Sequence, residues 1–569
     1  MGQGIITAEG LMHSLGYPQR IRTKLILLLT SCVLISAAQT VVFDSSSIPI
    51  VVIDTHGQNI VSASKITADM GIIYNGAGEW NHLSDPWNDY NGKIGIEIRG
   101  SSSQQFPKKQ YAVETRDSLG NDLNASLLGM PRESDWILYA VYNDKTLLRD
   151  VLAFKLSNDL GMYGSRSRYC ELVLNGNYCG VYVLLEKIKR DRNRVDIATL
   201  DPDDVSGDSL TGGYIIKIDK WDGEVNAGWP SNYRSVTGST IYYQYHYPKP
   251  TDIQTAQKNY IQQYIDTVET VLAGAQWNDP QNGYRKYLNV ESFVDYFLQI
   301  ELAKNVDGFR LSAFLYKDRN DNDPLLTMGP IWDFTIAYGN ADYYGCQNSD
   351  GWWIDDFEQI GSGDYSQIPF YWKKLRGDPY FASRVKCRWL ELRDTYFSVD
   401  RIYNYIDSLA AELEEPQQRN FQKWPILSNY PYIWPCPPVA DQTYHGHVAY
   451  LKTWIEDRIA WLDQNMIGDC SLEVEPGEIN NPRQWQLYQN YPNPFNATTA
   501  ISFNLAANGY VQLSIYDLAG REVITLLAGE MTAGDHTVRY SANGLSSGVY
   551  LYHMKIGSYS QTKKMILIK

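Results

Sequence analysis

A polar, turn-rich stretch near residues 470–485 cuts this chain into parts that cannot share one core. Glu473, Glu475, Pro476, Gly477, Glu478, Asn480, Asn481 and Pro482 supply charge and backbone breaks. Beyond them come six short alternating runs: Thr499–Leu505, Val511–Tyr516, Glu522–Leu527, His536–Tyr540, Val549–Ile556 and Gln561–Ile568. Turns such as Leu518-Ala519-Gly520 and Ser546-Ser547-Gly548 separate them, and this spacing predicts a small all-β sandwich. The chain's 569 residues exceed what one core holds, so a larger domain must precede the linker.

At the other end, Arg20, Arg22 and Lys24 precede the apolar run Leu25–Ala38, and Ser36-Ala37-Ala38 offers small residues ahead of a cut before Gln39. This reads as a signal peptide over 1–38, starting from Met1 or Met12. Leu29-Thr30-Ser31-Cys32 also resembles a lipoprotein box, which leaves lipidation as the alternative. The run is too short for a comfortable membrane span, and no later segment has the character of one, so no transmembrane helix is expected in the mature chain. The net charge of −15 argues against a nucleic-acid partner, which needs a basic face to displace counterions. The 43 Tyr and 16 Trp would suit a glycan binder, although ordinary core and surface packing also accounts for them.

Six cysteines follow the leader (Cys170, Cys179, Cys346, Cys387, Cys436 and Cys470), and none forms the CxxC pair of a zinc ribbon. Export permits disulfides. Cys170 and Cys179 flank Asn175-Gly176, a strong hairpin turn that sets them diagonally on one sheet face. Buried thiols and a bridge both remain open for this pair.

Between leader and linker the pattern changes from strands to helices. Residues 41–66, 93–98 and 111–115 read as strands, with the small polar loop Arg99-Gly100-Ser101-Ser102-Ser103-Gln104 between the last two. A helix is expected from near Asp144, with Leu147, Leu148, Val151, Leu152 and Leu156 as its stripe and Gly161 as its stop. The 169–186 hairpin is expected in the same sheet as 94–98 and 111–115, with this helix packed on it. A strand at Tyr214–Ile218 follows, then helices at 251–273 and Val290–Lys304, and strands at Ala313–Lys317 and Leu325–Ile331. Helices at Phe381–Tyr396, Ile402–Glu414 and Val448–Gln464 complete the region. The expected class is α+β, with a β-rich N-terminal part and a helix-rich C-terminal part over 41–468. A linker at 469–484 and the sandwich at 485–569 follow.

Several ordered blocks in the central region resemble the CotH kinase family. They are Ile94–Gln104 with Phe106-Pro107-Lys108-Lys109, Gly129-Met130-Pro131, Asp135-Trp136, Asp144-Lys145, Leu148-Arg149, Asn175-Gly176, Gly180-Val181-Tyr182, Glu186-Lys187-Ile188 and Gly212-Gly213-Tyr214. The last are Asn305-Val306-Asp307-Gly308 and Gly329-Pro330-Ile331-Trp332-Asp333-Phe334. The resemblance, over roughly 43–465, implies an atypical two-lobe kinase fold using ATP and a divalent metal (Mg²⁺ or Mn²⁺, with Ca²⁺ a further option) on a protein substrate. At the C-terminus, Leu487–Asn496, Ser514–Val523, Gly548–Tyr552 and Lys563–Lys569 resemble type IX secretion sorting domains. That implies contact with the type IX machinery and a secreted or surface-attached product.

The residues carry their own chemical reading. Phosphoryl transfer needs a cover or cation for the phosphates, carboxylates for metal ions and a carboxylate near the attacking hydroxyl. The 99–105 loop, with Arg99, Ser102 and Ser103, has small side chains and backbone N–H groups suited to phosphates. Lys109 begins the next strand within reach of them. It is not a Walker A loop. Asp307 follows a helix and precedes a strand, where a catalytic carboxylate would orient or deprotonate the acceptor. Asp333 follows a strand, where it would hold metal, with Ser312 and Asn305 as further candidate ligands. Thr335 stands where relatives carry a second Asp. The acidic run Asp318–Asp323 lacks the Gly and Glu of an EF-hand. No Ser-His-Asp set or HExxH is present. The readings are therefore an exported ATP-dependent protein kinase, a non-catalytic surface or glycan-binding protein on the same scaffold, and more weakly a glycan-active enzyme.

The sorting resemblance makes a prediction. Deletion of residues 485–569 should leave a folded central domain retained in the periplasm, measured by cell fractionation and immunoblotting. Normal surface delivery of the truncated chain would refute it.

Overall fold

The computed structural model describes residues 41–470 and 486–567, apart from 63, 222–225, 429–435 and, in the C-terminal part, 491, 492, 494, 497, 506, 507, 519, 533, 543 and 558. The leader read at 1–38 and most of the linker lie outside the described residues. The chain divides into two compact units, Met1–Gly468 and Asp469–Lys569, and is of the α+β class. Among the described residues no helix is long and apolar enough to cross a membrane.

The first unit begins with a closed barrel of seven strands: β1 (Ile50–Asp54), β2 (Ile66–Ile73), β3 (Tyr90–Ile98), β4 (Tyr111–Arg116), β5 (Asp135–Tyr139), β6 (Ser167–Leu174) and β7 (Asn177–Glu186). Their order is β1-β2-β3-β4-β5-β7-β6, and the ring closes through a parallel pairing that sets Ile50 opposite Glu171. Alternation drives the closure. In Tyr111–Arg116 every second residue is buried, and Val113 joins Ile53, Met70, Ile94, Ile96 and Leu184 inside the barrel. Asn175 and Gly176 both have positive φ, 49° and 73°, as a two-residue hairpin loop requires. Cys170 and Cys179 remain free thiols.

Helix α1 (Arg149–Asp159) packs Leu152, Phe154 and Leu156 with Ile137, Val181, Val183 and Leu185 of the barrel strands. It starts later than the apolar stripe suggests. The Asp144 carboxylate accepts the N–H of Thr146 (2.9 Å) and of Arg149 (2.9 Å), and Leu147 has φ 63°, so a turn replaces the first helical residues.

The rest of the unit is a five-stranded antiparallel sheet with helices around it. Its strands are β8 (Tyr214–Ile218), β9 (Gly228–Arg234), β10 (Thr240–Tyr247), β11 (Ala313–Lys317) and β12 (Leu326–Met328), in the order β9-β10-β8-β11-β12. The helices are α2 (Thr255–Ala273), α3 (Val290–Ala303), α4 (Trp353–Ile360), α5 (Phe370–Gly377), α6 (Pro379–Arg393), α7 (Val399–Glu412), α8 (Pro416–Lys423) and α9 (Tyr444–Asn465). Every residue of α3 except Glu291 is buried, which makes it the central rod of the core. Near its end, Glu301 pairs with Arg458 of α9 at 3.1 Å with both side chains sealed from solvent. Glu301 also accepts the N–H groups of Trp353 (2.8 Å) and Ile354 (3.1 Å). Arg458 donates to the carbonyls of Glu301, Ser349 and Gly351.

The second unit has six long strands: β13 (Thr498–Leu505), β14 (Gly509–Tyr516), β15 (Glu522–Met531), β16 (Gly534–Ser541), β17 (Gly548–Ile556) and β18 (Tyr559–Leu567). One sheet joins Gln486–Leu487, β13 and β16, and the other runs β15-β14-β17-β18. Leu487, Phe503, Leu513, Ile515, Tyr552 and Met554 share one core. The Tyr552 hydroxyl donates to the Tyr488 carbonyl (2.7 Å) and accepts from the Asn490 N–H (2.8 Å), tying the leading segment to β17.

Removing one partner of a buried pair leaves the other charge uncompensated. Arg458→Leu should therefore cost about 3–5 kcal/mol in urea unfolding. Arg384→Ala, which breaks a half-exposed pair with Glu291, should cost about 0–1 kcal/mol.

Candidate functional site

The loop between β3 and β4 folds back on itself. Gly100 has φ +100°, and a Cβ there would lie 2.1 Å from Ser103 Oγ and 2.7 Å from Gln110 Nε2, so glycine is required. Ser102–Gln105 form one 3-10 turn. Ser103 Oγ accepts from Gln110 Nε2 at 2.7 Å, and Lys109 Nζ donates to the carbonyls of Gln104 (2.6 Å) and Phe106 (2.8 Å). The Lys109 ammonium thus ties the loop down.

Two further segments face this loop. Lys304 ends α3 in a left-handed conformation (φ 40°) and anchors its ammonium on Asp356 (2.7 Å) and the Asp350 carbonyl (2.6 Å). The chain then turns through Asn305, whose amide oxygen accepts from the Asp307 N–H (3.1 Å) and whose amide nitrogen donates to the Asp333 carbonyl (3.0 Å). Asp307 accepts from Arg310 at 3.0 Å. Asp333 itself has φ 61°. The following N–H, that of Phe334, donates to Asp150 Oδ1 (2.7 Å), and Thr335 Oγ1 donates to Asp150 Oδ2 (2.8 Å). The Tyr139 hydroxyl lies against Thr335 Oγ1 and reaches Asp333 Oδ1 at 3.4 Å.

These segments line one cleft of about 370 Å³. Of the residues singled out from sequence, Arg99, Ser102, Ser103, Asp307, Ser312 and Asp333 border it. Asn305 lies fully buried beside it with both ends of its amide engaged, and Lys109 is not part of its wall. The wall includes Lys187, Lys217 and Asp219, which sequence reasoning did not single out. Lys187 sits inside a quoted block, and Lys217 is the one charge in the apolar strand β8, with its ammonium 2.6 Å from Asp219.

Burial pushes the Asp333 carboxyl up to about 6, and the charge of Asp307 adds to this while Arg99 opposes it. Asp307 is raised too, by burial first, against Arg310 and Lys220. Burial lowers Lys187, with Asp135 opposing. Asp150 is raised to about 8 by burial and by Asp333. The donors that Asp307 and Asp333 offer are all oxygen, the type Mg²⁺ and Mn²⁺ favour. Among the described residues no group of three or more His, Cys, Asp or Glu is arranged to hold a metal. A cation at this site would have to take most of its shell from phosphate oxygens and water.

The family model described as CotH kinase protein matches residues 96–462, and the chain belongs to that family. The secretion system C-terminal sorting domain matches residues 489–569. Inner spore coat protein H of Bacillus subtilis (strain 168) is 24% identical over 246 residues, which cover 43% of this chain and 59% of that protein. A crystal structure of dimeric latent PorU from Porphyromonas gingivalis shares 22% identity over 14% of this chain and 9% of that one, with a TM-score of 0.13.

The hydrogen bonds at Thr335 make a prediction about this position. An Asp here would replace the hydroxyl donor and press a third carboxyl against Asp150 and Asp333. Thr335→Asp should destabilise the fold by about 1–3 kcal/mol in thermal unfolding, whereas Thr335→Ser should stay near wild type.

Proposed function

We propose that this chain is an exported atypical protein kinase that transfers phosphate from ATP to hydroxyl groups of a protein. The single observation that carries this reading is the convergence of Asp307 and Asp333, from separate loops, on a cleft whose other side is the Arg99–Ser103 loop. In this reading the barrel with α1 is the first lobe and the five-stranded sheet with its helices the second. Asp333 would hold the divalent metal, and Asp307 would orient the acceptor hydroxyl and take its proton. Arg99 and Lys187, among the cations of the cleft wall, would pair with phosphates, and the N–H groups of the Ser102–Ser103 turn would face them. Bound ATP with its cation supplies the phosphoryl group and neutralises charge that develops on it. The leader and the sorting domain support secretion through the type IX machinery to the surface or beyond.

A second reading, a non-catalytic surface or glycan-binding protein, is favoured by Thr335 in place of a carboxylate and by the fully engaged Asn305 amide. Nucleotide binding separates the two.

Calorimetry with ATP and Mg²⁺ or Mn²⁺, alongside a phosphate-incorporation assay, is the test. Asp307→Ala should keep ATP affinity within about threefold yet lose about 100-fold or more in turnover, because it acts on the chemical step. Asp333→Ala should weaken both, and Lys187→Ala should weaken nucleotide binding more than Lys109→Ala. Wild-type protein that binds no nucleotide with either metal would leave the second reading ahead.

A further inference from the structure

Asp150 is a buried carboxyl on the first turn of α1, and it does not cap its own helix. Its two oxygens leave the helix altogether: one takes the Phe334 N–H and the other the Thr335 hydroxyl. The neighbouring guanidinium of Arg149 is committed elsewhere, to Asp144 and to the carbonyls of Ala337 (3.1 Å) and Tyr338 (3.4 Å). Asn340 completes the attachment by donating to the carbonyls of Asn143 (3.1 Å) and Thr335 (2.7 Å). Segment 143–150 therefore grips segment 334–340 along its length.

We propose that Asp150 is a positioning residue that holds Asp333 in its working orientation from the barrel side. The inference rests on reading Asp333 as the metal-holding carboxylate. The geometry is specific to Asp333. Its own carbonyl is held by Asn305, and the N–H of the same peptide unit, that of Phe334, is held by Asp150, so the peptide plane that follows its Cα is fixed from both sides. Asp333 itself sits at φ 61°, a left-handed conformation that is costly for a residue with a Cβ and that its surroundings must hold. Packing alone does not call for Asp150. A buried carboxyl is costly to keep, and here it is the acceptor without which the Phe334 N–H and the Thr335 hydroxyl would lose their partner. Groups that orient a metal ligand are the setting in which such a cost is maintained.

The test compares Asp150→Ala and Asp150→Asn in the full chain by hydrogen exchange of the Phe334 amide and by calorimetry with Mn²⁺ and ATP. Asp150→Ala should speed exchange at Phe334 about tenfold or more and weaken Mn²⁺-ATP binding about 10–100-fold. Asp150→Asn keeps an oxygen for the Phe334 N–H and should hold affinity within about threefold. Should the Ala variant fail to fold, Thr335→Val removes one of the two bonds and should give the same changes, smaller in size. Unchanged Phe334 exchange in a folded Ala variant would overturn the proposal, as would faster exchange with unchanged Mn²⁺-ATP affinity. Wild-type protein that binds no Mn²⁺-ATP would defeat the kinase reading and, with it, a metal role for Asp150. Faster exchange in the Ala variant would then show that Asp150 holds the turn for some other purpose.

Discussion

The buried pair of Glu301 and Arg458 is the interaction on which the first unit turns. Two charges withdrawn from water are held at a net cost unless their remaining hydrogen-bonding capacity is met, and here the fit is nearly complete. Glu301 accepts two backbone N–H groups at the start of α4, and Arg458 donates to three carbonyls. Three separate stretches, the end of α3, the body of α9 and the loop before α4, are thereby fixed at one point. Lys304 then reverses the chain and Asn305 begins the turn that presents Asp307. The position of that carboxylate is thus inherited from a charge pair deep in the core.

From there the order passes outward through hydrogen bonds. The Asn305 amide joins the Asp307 turn to the Asp333 turn, and Asp150 joins the Asp333 turn to α1, which lies on the barrel. Charges in the cleft are mixed. Three carboxylates, Asp219, Asp307 and Asp333, face Arg99, Lys187, Lys217 and Lys220. Such a site suits a ligand that itself carries both signs, as a polyanion with a bound cation does.

Local signals in the sequence foretold local structure well. The Asn175-Gly176 hairpin, the β8 and β11 strands and the buried rod α3 follow from turn chemistry and periodicity within a few residues. Asp307 and Asp333 were legible because each is an acidic residue at an element's end inside a recognisable block. What escaped was set by long-range contact. The β9–β10 hairpin carries Pro230 and little alternation, and it forms because β8 offers an edge to pair with. The start of α1 is displaced by the Asp144 side chain. Lys109 and Lys187 are both lysines at strand ends, and nothing within either stretch shows which ammonium is consumed by nearby carbonyls.

The barrel's closing seam has a consequence for how the molecule is made. Ile50 meets Glu171 only after four intervening barrel strands and α1 have been laid down, and loop-closure entropy is spent before that contact returns anything. The β6–β7 hairpin is local and forms fast, so it is the natural template on which β1 docks last. During the interval β1 offers an open edge of Ile50, Val51, Val52 and Ile53, a stretch prone to pair with the wrong chain. The N-terminal strand is thus both the keystone of the ring and, until it seats, the point at which a nascent copy is most exposed to aggregation.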